Sequence, residues 1–244
     1  MCSKAGELLL EGNYQGKNLF VQNPYNSVDG SFCAMEVKVN DVKEVEDINS
    51  SAFEVNLSKF NIGDKVSIII VHKGDCKPKV INPEVLKPRT TCQILEIKID
   101  EDHVQWSSKG ESGPLPFIVE QFRNNKWVPS GEVQGKGLAE VNTYSVKIRH
   151  HSGENRYRIK QTDFTGKANY SKAQEYNSSK PEVNFWPQRV SKLVYFSEEA
   201  EYEIFDSYGN LVKKGFDKQV DLDGLSKGYY YLNIDNKTEK FLKK

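Results

Sequence analysis

Apolar and polar residues alternate along most of this chain, and the three- and four-residue spacing of an amphipathic helix is almost absent. "GKNLFVQN", "CAMEVKVN", "SAFEVNLS" and "KVSIIIVHK" are strand-length, rich in β-branched or aromatic residues, and separated by the turn signals "PYNSVDGS", "NIGD" and "KGDCKP". Short strands at regular spacing predict an antiparallel sandwich over residues 6–88. "NPEVLKP" (residues 82–88), with a proline near each end, reads as a linker. A second all-β series occupies residues 91–176 and includes two hairpins. "EQFRNNKWVPSG" turns at Asn124 and Asn125, which tolerate positive φ, and "TDFTGKANYS" turns at Thr165 and Gly166. Trp106 and Tyr157 read as core aromatics. Arg156, Arg158 and Lys160 alternate with Tyr157 and Ile159, which puts them on the solvent face of one strand.

"NSSKPEVNFWPQ" (residues 177–188) is a polar, proline-bearing connector, and a small third β unit fills residues 180–244. In it Tyr202, Ile204, Leu211 and Val212 supply apolar positions, "SYGN" makes a hairpin turn, and "KTEKFLKK" supplies a last strand.

Charge narrows the function. With 34 basic and 34 acidic residues, no broad positive field exists to neutralise phosphates, so nucleic-acid binding is not expected. The longest apolar stretch, "KVSIIIVHKG", has strand length and falls short of the roughly 20 residues of a membrane-spanning helix, so no transmembrane segment is expected.

The start, "MCSKAGELLLEG", places Ser3 and Ala5 where signal peptidase accepts small residues, and residues 1–5 read either as the remnant of a signal peptide or as an ordinary short N-terminus. Cys2, Cys33, Cys76 and Cys92 form no CxxC pair of the zinc or redox kind. For an exported chain the preferred disulfide is Cys33 with Cys76, both beside strand-like runs; buried free thiols are the alternative.

Two segments carry a family resemblance. Trp106, the "FIVEQF…W…G" run and "NRYRIKQTDFTGKANYS" together are similar to the fibronectin-type-III-like module that often precedes the sorting domain in secreted proteins of the Bacteroidota. The end of the chain resembles the C-terminal sorting domain of the type IX secretion system. The carriers are "IFDSYGNLVKKG" (residues 204–215), "VDLDGLSKGYYYLNI" (residues 220–234) and "KFLKK" (residues 240–244). The family's Gly-x-x-Val element corresponds to Gly209 and Val212, its Gly-x-Tyr element to Gly228 and Tyr230, and its basic end to Lys240, Lys243 and Lys244. A Pro-Asn-Pro-like element of the family stands here as "FWPQRVSK", with one proline. The resemblance implies export to the cell surface or outer membrane and recognition by the type IX secretion and attachment machinery, with cleavage or retention of the tail both open.

Catalytic signatures are not found: the sequence holds no HExxH, GxSxG, P-loop or dinucleotide fingerprint. His150 and His151, adjacent on a strand, would point to opposite faces and suit a metal poorly. His72 reads as a rim residue, and "KIDEDH" as a solvated hairpin turn rather than a calcium loop. Trp127, after a hairpin turn, could stack on a sugar or pack within its own hairpin.

The expectation is an all-β protein with two antiparallel β-sandwich domains of immunoglobulin or fibronectin-III kind and a small C-terminal sorting-type β-sandwich. No cofactor, metal or enzymatic activity is expected, and the role is structural or interaction-based, as in a subunit of an outer-membrane complex. The alternatives are a secreted glycan-binding or enzyme-accessory module, and a cytosolic β protein.

Overall fold

The computed structural model describes residues 5–27, 30–74 and 76–244. Residues 1–4, with Cys2 and Ser3 of the expected processing site, lie outside the described residues, as do Val28, Asp29 and Asp75 in two of the predicted turns. The chain is all-β, and its buried apolar residues form three separate cores, over residues 14–86, 92–159 and 190–241.

The first unit contains β1 (Gly6–Asn13), β2 (Leu19–Gln22), β3 (Tyr25–Asn26), β4 (Ser31–Phe32), β5 (Ala34–Val39), β6 (Val42–Glu46), β7 (Ala52–Val55), β8 (Lys65–His72) and β9 (Lys79–Val80). A sheet ordered β1-β8-β5-β6 packs on a second ordered β7-β2-β9. Strict alternation in β8 buries Val66, Ile68, Ile70 and His72 on one face. His72 is therefore not a rim residue: it is 5% exposed, and its Nδ1 bonds the Lys73 carbonyl at 2.8 Å. A disulfide joins Cys33 to Cys76 with the Cα atoms 5.9 Å apart. The predicted linker "NPEVLKP" is instead a 3₁₀ turn, Pro83–Leu86, started by its first proline, with Val85 and Leu86 buried in the first core.

The second unit comprises β10 (Gln93–Ile99), β11 (His103–Lys109), β12 (Pro116–Arg123), β13 (Lys126–Gln134), β14 (Asn142–Lys147), β15 (Gly153–Thr162), β16 (Ala168–Tyr170) and β17 (Gln174–Ser178). One sheet runs β10-β11-β14; the other runs β13-β12-β15-β16, with β17 also pairing β15. Between them Trp106, Phe117 and Tyr144 pack as one aromatic cluster, with centroid separations of 5.7, 5.3 and 4.9 Å. Asn124 and Asn125 close the β12–β13 hairpin with φ of 48° and 63°. The buried carboxylate of Glu111 accepts from Gly137 N at 2.7 Å, Tyr144 Oη at 2.6 Å and Asn142 Nδ2 at 3.2 Å, and from the Ser108 hydroxyl. Its neighbour Ser112 links the first two units, accepting Gln15 Nε2 on its carbonyl at 2.6 Å and Arg89 N on its hydroxyl at 3.0 Å.

The third unit holds β18 (Phe185–Trp186), β19 (Arg189–Val190), β20 (Leu193–Phe205), β21 (Leu211–Asp221), β22 (Gly228–Ile234) and β23 (Lys237–Lys243) in one bent sheet, β18-β20-β22-β23-β19, with β21 pairing β20. The bend lies in β20, whose register with β21 jumps between Tyr195 and Ala200. The predicted connector is consequently shorter than residues 177–188, because Ser178 completes β17 and Phe185–Trp186 already pair with β20. Leu211 is exposed and not a core position; Val212 packs on the core in its place.

Candidate functional site

The residues singled out in the tail fall on two hairpins. β20 and β21 meet at a turn in which Asp206 Oδ1 accepts the Tyr208 and Asn210 backbone N–H groups, each at 2.9 Å. The hydrogen bond from the Asn210 side chain, followed by these backbone bonds, holds the Asp206 carboxyl below the usual carboxylate range. Gly209 occupies this turn at φ 84°, a conformation costly for other residues, with nothing near the position a Cβ would take.

β22 and β23 form the terminal hairpin. Gly228 begins it at φ 153°, opposite Lys243. Two residues on, Tyr230 is buried, stacked on Phe241 at 5.7 Å, with its hydroxyl donating to the Ser226 carbonyl at 2.9 Å. Tyr230 is thus a core residue, and the exposed rings are its neighbours Tyr229 and Tyr231. Lys240 Nζ lies 4.0 Å from the Tyr229 ring centroid and 5.9 Å from that of Tyr231. Buried Lys243 donates to the Ser191 carbonyl, and the backbone N of Lys244, whose side chain is exposed, donates to Val190 O at 2.8 Å, extending the parallel β19–β23 pairing. Gly228, Tyr230, Lys240 and Lys243 therefore share one hairpin, with Lys244 just beyond it; Gly209 and Val212 belong to the neighbouring one.

The turn of the terminal hairpin, Asp235 and Asn236 at φ 49° and 58°, faces the second unit. Asp235 is 6% exposed, and its carboxylate accepts Ser152 N at 2.7 Å, Ser152 Oγ at 2.6 Å and Val183 N at 3.0 Å. Alongside, Asn124 N donates to Asn236 Oδ1 at 2.8 Å, so two asparagine-bearing turns meet tip to tip. Glu201 of β20 accepts Arg123 and lies 3.5 Å from Arg149, whose guanidinium stacks 4.4 Å above Phe216. Sequence reasoning missed this junction. Its one local signal is a polar Asp-Asn turn at a tip where a more neutral pair would close the hairpin equally well.

His150 and His151 do not lie on a strand; both are buried in the β14–β15 loop. His150 donates from Nε2 to the Asp100 carbonyl at 2.8 Å, takes the Tyr157 hydroxyl on Nδ1 at 3.0 Å, and stacks on Tyr176. Burial lowers its pKa and that of His151. Among the described residues no group of three or more His, Cys, Asp or Glu is placed to hold a metal ion.

Trp127 sits in a ladder across the outer face of the second unit. Arg158 lies between Trp127 and Tyr170, at 4.4 and 4.2 Å, and Arg156 lies over Phe122 at 5.0 Å. Arg158 also donates to Glu120 at 2.7 Å. These arginines face outward, as alternation predicts, but they cover rings rather than stand free in water. A guanidinium thus covers one face of the Trp127 ring.

No curated protein matches the chain. Similar solved structures include a tetra-tandem repeat from the extending region of a large adhesion protein, 9% identical over 98% of this chain and 75% of that one, with a TM-score of 0.33. They also include the BSP domain of a biofilm associated protein, 13% identical over 98% of this chain, with a TM-score of 0.23; this chain spans 63% of its length. Dimeric latent PorU from Porphyromonas gingivalis is 10% identical over 98% of this chain and 31% of that one, with a TM-score of 0.24. At these identities and scores none bears on what this chain does. The third unit, in contrast, is matched as a family: residues 184–244 match the Secretion system C-terminal sorting domain.

Proposed function

We propose that this chain is a non-enzymatic interaction protein, exported by the type IX secretion system of a Bacteroidota-type bacterium and held at the outer face of its outer membrane, where it serves as a subunit of a larger assembly. The family match over residues 184–244 carries the export reading. The secretion and attachment machinery would read the terminal hairpin, where Lys240 and the exposed rings of Tyr229 and Tyr231 offer a cationic, aromatic surface. Support for a role without catalysis comes from how the buried polar groups are used. Glu111, Glu120, His150 and Asp235 are each engaged by two or more partners that join strands or units. The second unit would act as a fibronectin-III-like spacer that presents the first.

Affinity purification of the tagged chain from its native envelope tests this. A stoichiometric membrane complex that retains the tail is expected. Recovery from the medium alone, without residues beyond about Lys180, would mark an ordinary secreted cargo instead.

A further inference from the structure

His151 is positioned at the seat of the third unit. It is 6% exposed and lines a cleft of about 660 Å³ between the second and third units, together with Arg123, Arg149, Lys180, Glu201 and Asp235. Its Nδ1 is 2.8 Å from the carbonyl of Ser152, so Nδ1 carries the hydrogen and donates it. Ser152 is the residue that gives both its N–H and its hydroxyl to Asp235. The other ring nitrogen, Nε2, is buried with no hydrogen-bond partner. In the neutral ring this is an unused lone pair, a modest cost; in the charged ring it would be a buried N–H donor with no acceptor, a large one.

We propose that His151 is an acid-sensitive latch: protonation of its ring releases the terminal hairpin from the second unit by breaking the Ser152–Asp235 contact.

The surroundings fix the direction. Arg123, at the end of β12, opposes a second positive charge, and neighbouring His150 does the same when protonated. Asp235, from the β22–β23 turn, favours the charged ring, but both its oxygens are already engaged by Ser152 and Val183. Turning that carboxylate toward the His151 ring would draw it away from the bonds that close the junction. Glu201 of β20, which lines the same cleft, is taken by Arg123 and Arg149; Asp102, Glu198 and Glu199 line it too, and none of them is bonded to the ring, whose Nε2 has no partner. Lys180 of the connector adds positive charge to the same cleft. Burial is the largest of the influences that lower the pKa of His151. The closed junction therefore binds the proton less well than the open one, in which the ring meets water. Closure is complete above the ordinary histidine value of about 6.5 and weakens as the pH falls below it. The latch does not depend on the export route.

The test is small-angle scattering on the whole chain between pH 7.5 and 5, with the His151 ring followed by NMR in the same samples. In the wild type the radius of gyration should rise as the pH drops below about 6.5, in step with the ring's titration. His151→Gln, which cannot charge, should stay compact throughout, and Asp235→Asn should be extended at every pH. His151→Phe repeats the test if the glutamine variant does not fold. A wild-type chain that stays compact while His151 titrates, or a His151→Gln chain that opens with the wild-type midpoint, would overturn the proposal.

Discussion

Ser152 and Asp235, 83 residues apart in sequence, are joined by two hydrogen bonds of 2.7 and 2.6 Å, from the serine's backbone N–H and from its hydroxyl to the two oxygens of one buried carboxylate. Val183 N completes the set at 3.0 Å, so one side chain ties together the second unit, the connector and the terminal hairpin. Asp235→Gly keeps the positive φ of the turn and removes only the carboxylate, leaving three donors without their acceptor. It should lower the stability of the third unit by about 2–4 kcal/mol in urea unfolding. Asn236→Gly removes a single acceptor at the exposed edge and should cost under about 1 kcal/mol.

Glu111 contributes to the alkaline behaviour of the second unit. Burial, then the hydrogen bond to Glu111, pushes the Tyr144 hydroxyl up to about 12. The unfolded chain releases that proton near its ordinary value of about 10, so the unit loses stability as the pH rises from about 10 towards 12. In Glu111→Gln the tyrosine pKa should fall yet remain above 10, because burial is the larger cause. NMR of ring-labelled tyrosine reads this directly. Glu111→Ala leaves four donors unpaired and should cost about 3 kcal/mol or more.

The Cys33–Cys76 bond closes a loop with a sequence separation of 43. Its removal in the Cys33→Ser, Cys76→Ser pair should destabilise the first unit by about 2–4 kcal/mol, read as a lowered urea midpoint relative to the oxidised chain. Cys92 should resist alkylation at neutral pH in the folded protein, since burial pushes its thiol up to about 11.

Arg158 fills the gap between Trp127 and Tyr170 and also bonds Glu120. Lysine keeps the charge but cannot lie flat between two rings, so Arg158→Lys should cost about 1–2 kcal/mol in thermal or urea unfolding and shift Trp127 fluorescence to the red. A glycan that bound the wild type saturably and was lost in Trp127→Ala would show that the ring face can be freed for a ligand.

What could be read in advance follows from how local each signal is. Alternation located the strands and placed Trp106 and Tyr157 in the core, because a strand's two faces are set by its own sequence. The Asn124–Asn125 turn was readable for the same reason, since both residues tolerate the φ the turn requires. "NPEVLKP" misled because its prolines promised a linker, while the burial of Val85 and Leu86 depends on a first core assembled from distant strands. His150 and His151 misled through an assumed strand that ends at Lys147. In the tail, the family resemblance pointed to residues of two adjacent hairpins but not to the division of labour within them. Tyr230 and Lys243 hold the fold, while Tyr229, Tyr231 and Lys240 face outward. The Asp235 junction had no local signature beyond its polar Asp-Asn turn, since Ser152 and Val183 become its partners only after two units have folded.

The central claim is that residues 184–244 carry the chain to the cell surface through their terminal hairpin. Protease accessibility and antibody labelling of intact cells, comparing the wild-type chain with one lacking residues 184–244 and with the paired Lys240→Ala, Lys244→Ala variant, measure this. Neither lysine side chain is buried, so the paired variant should fold. The wild type should be labelled at the surface, the truncated chain should be retained inside the outer membrane, and the paired variant should be reduced at the surface at equal expression. Surface labelling of the truncated chain equal to wild type would contradict the account.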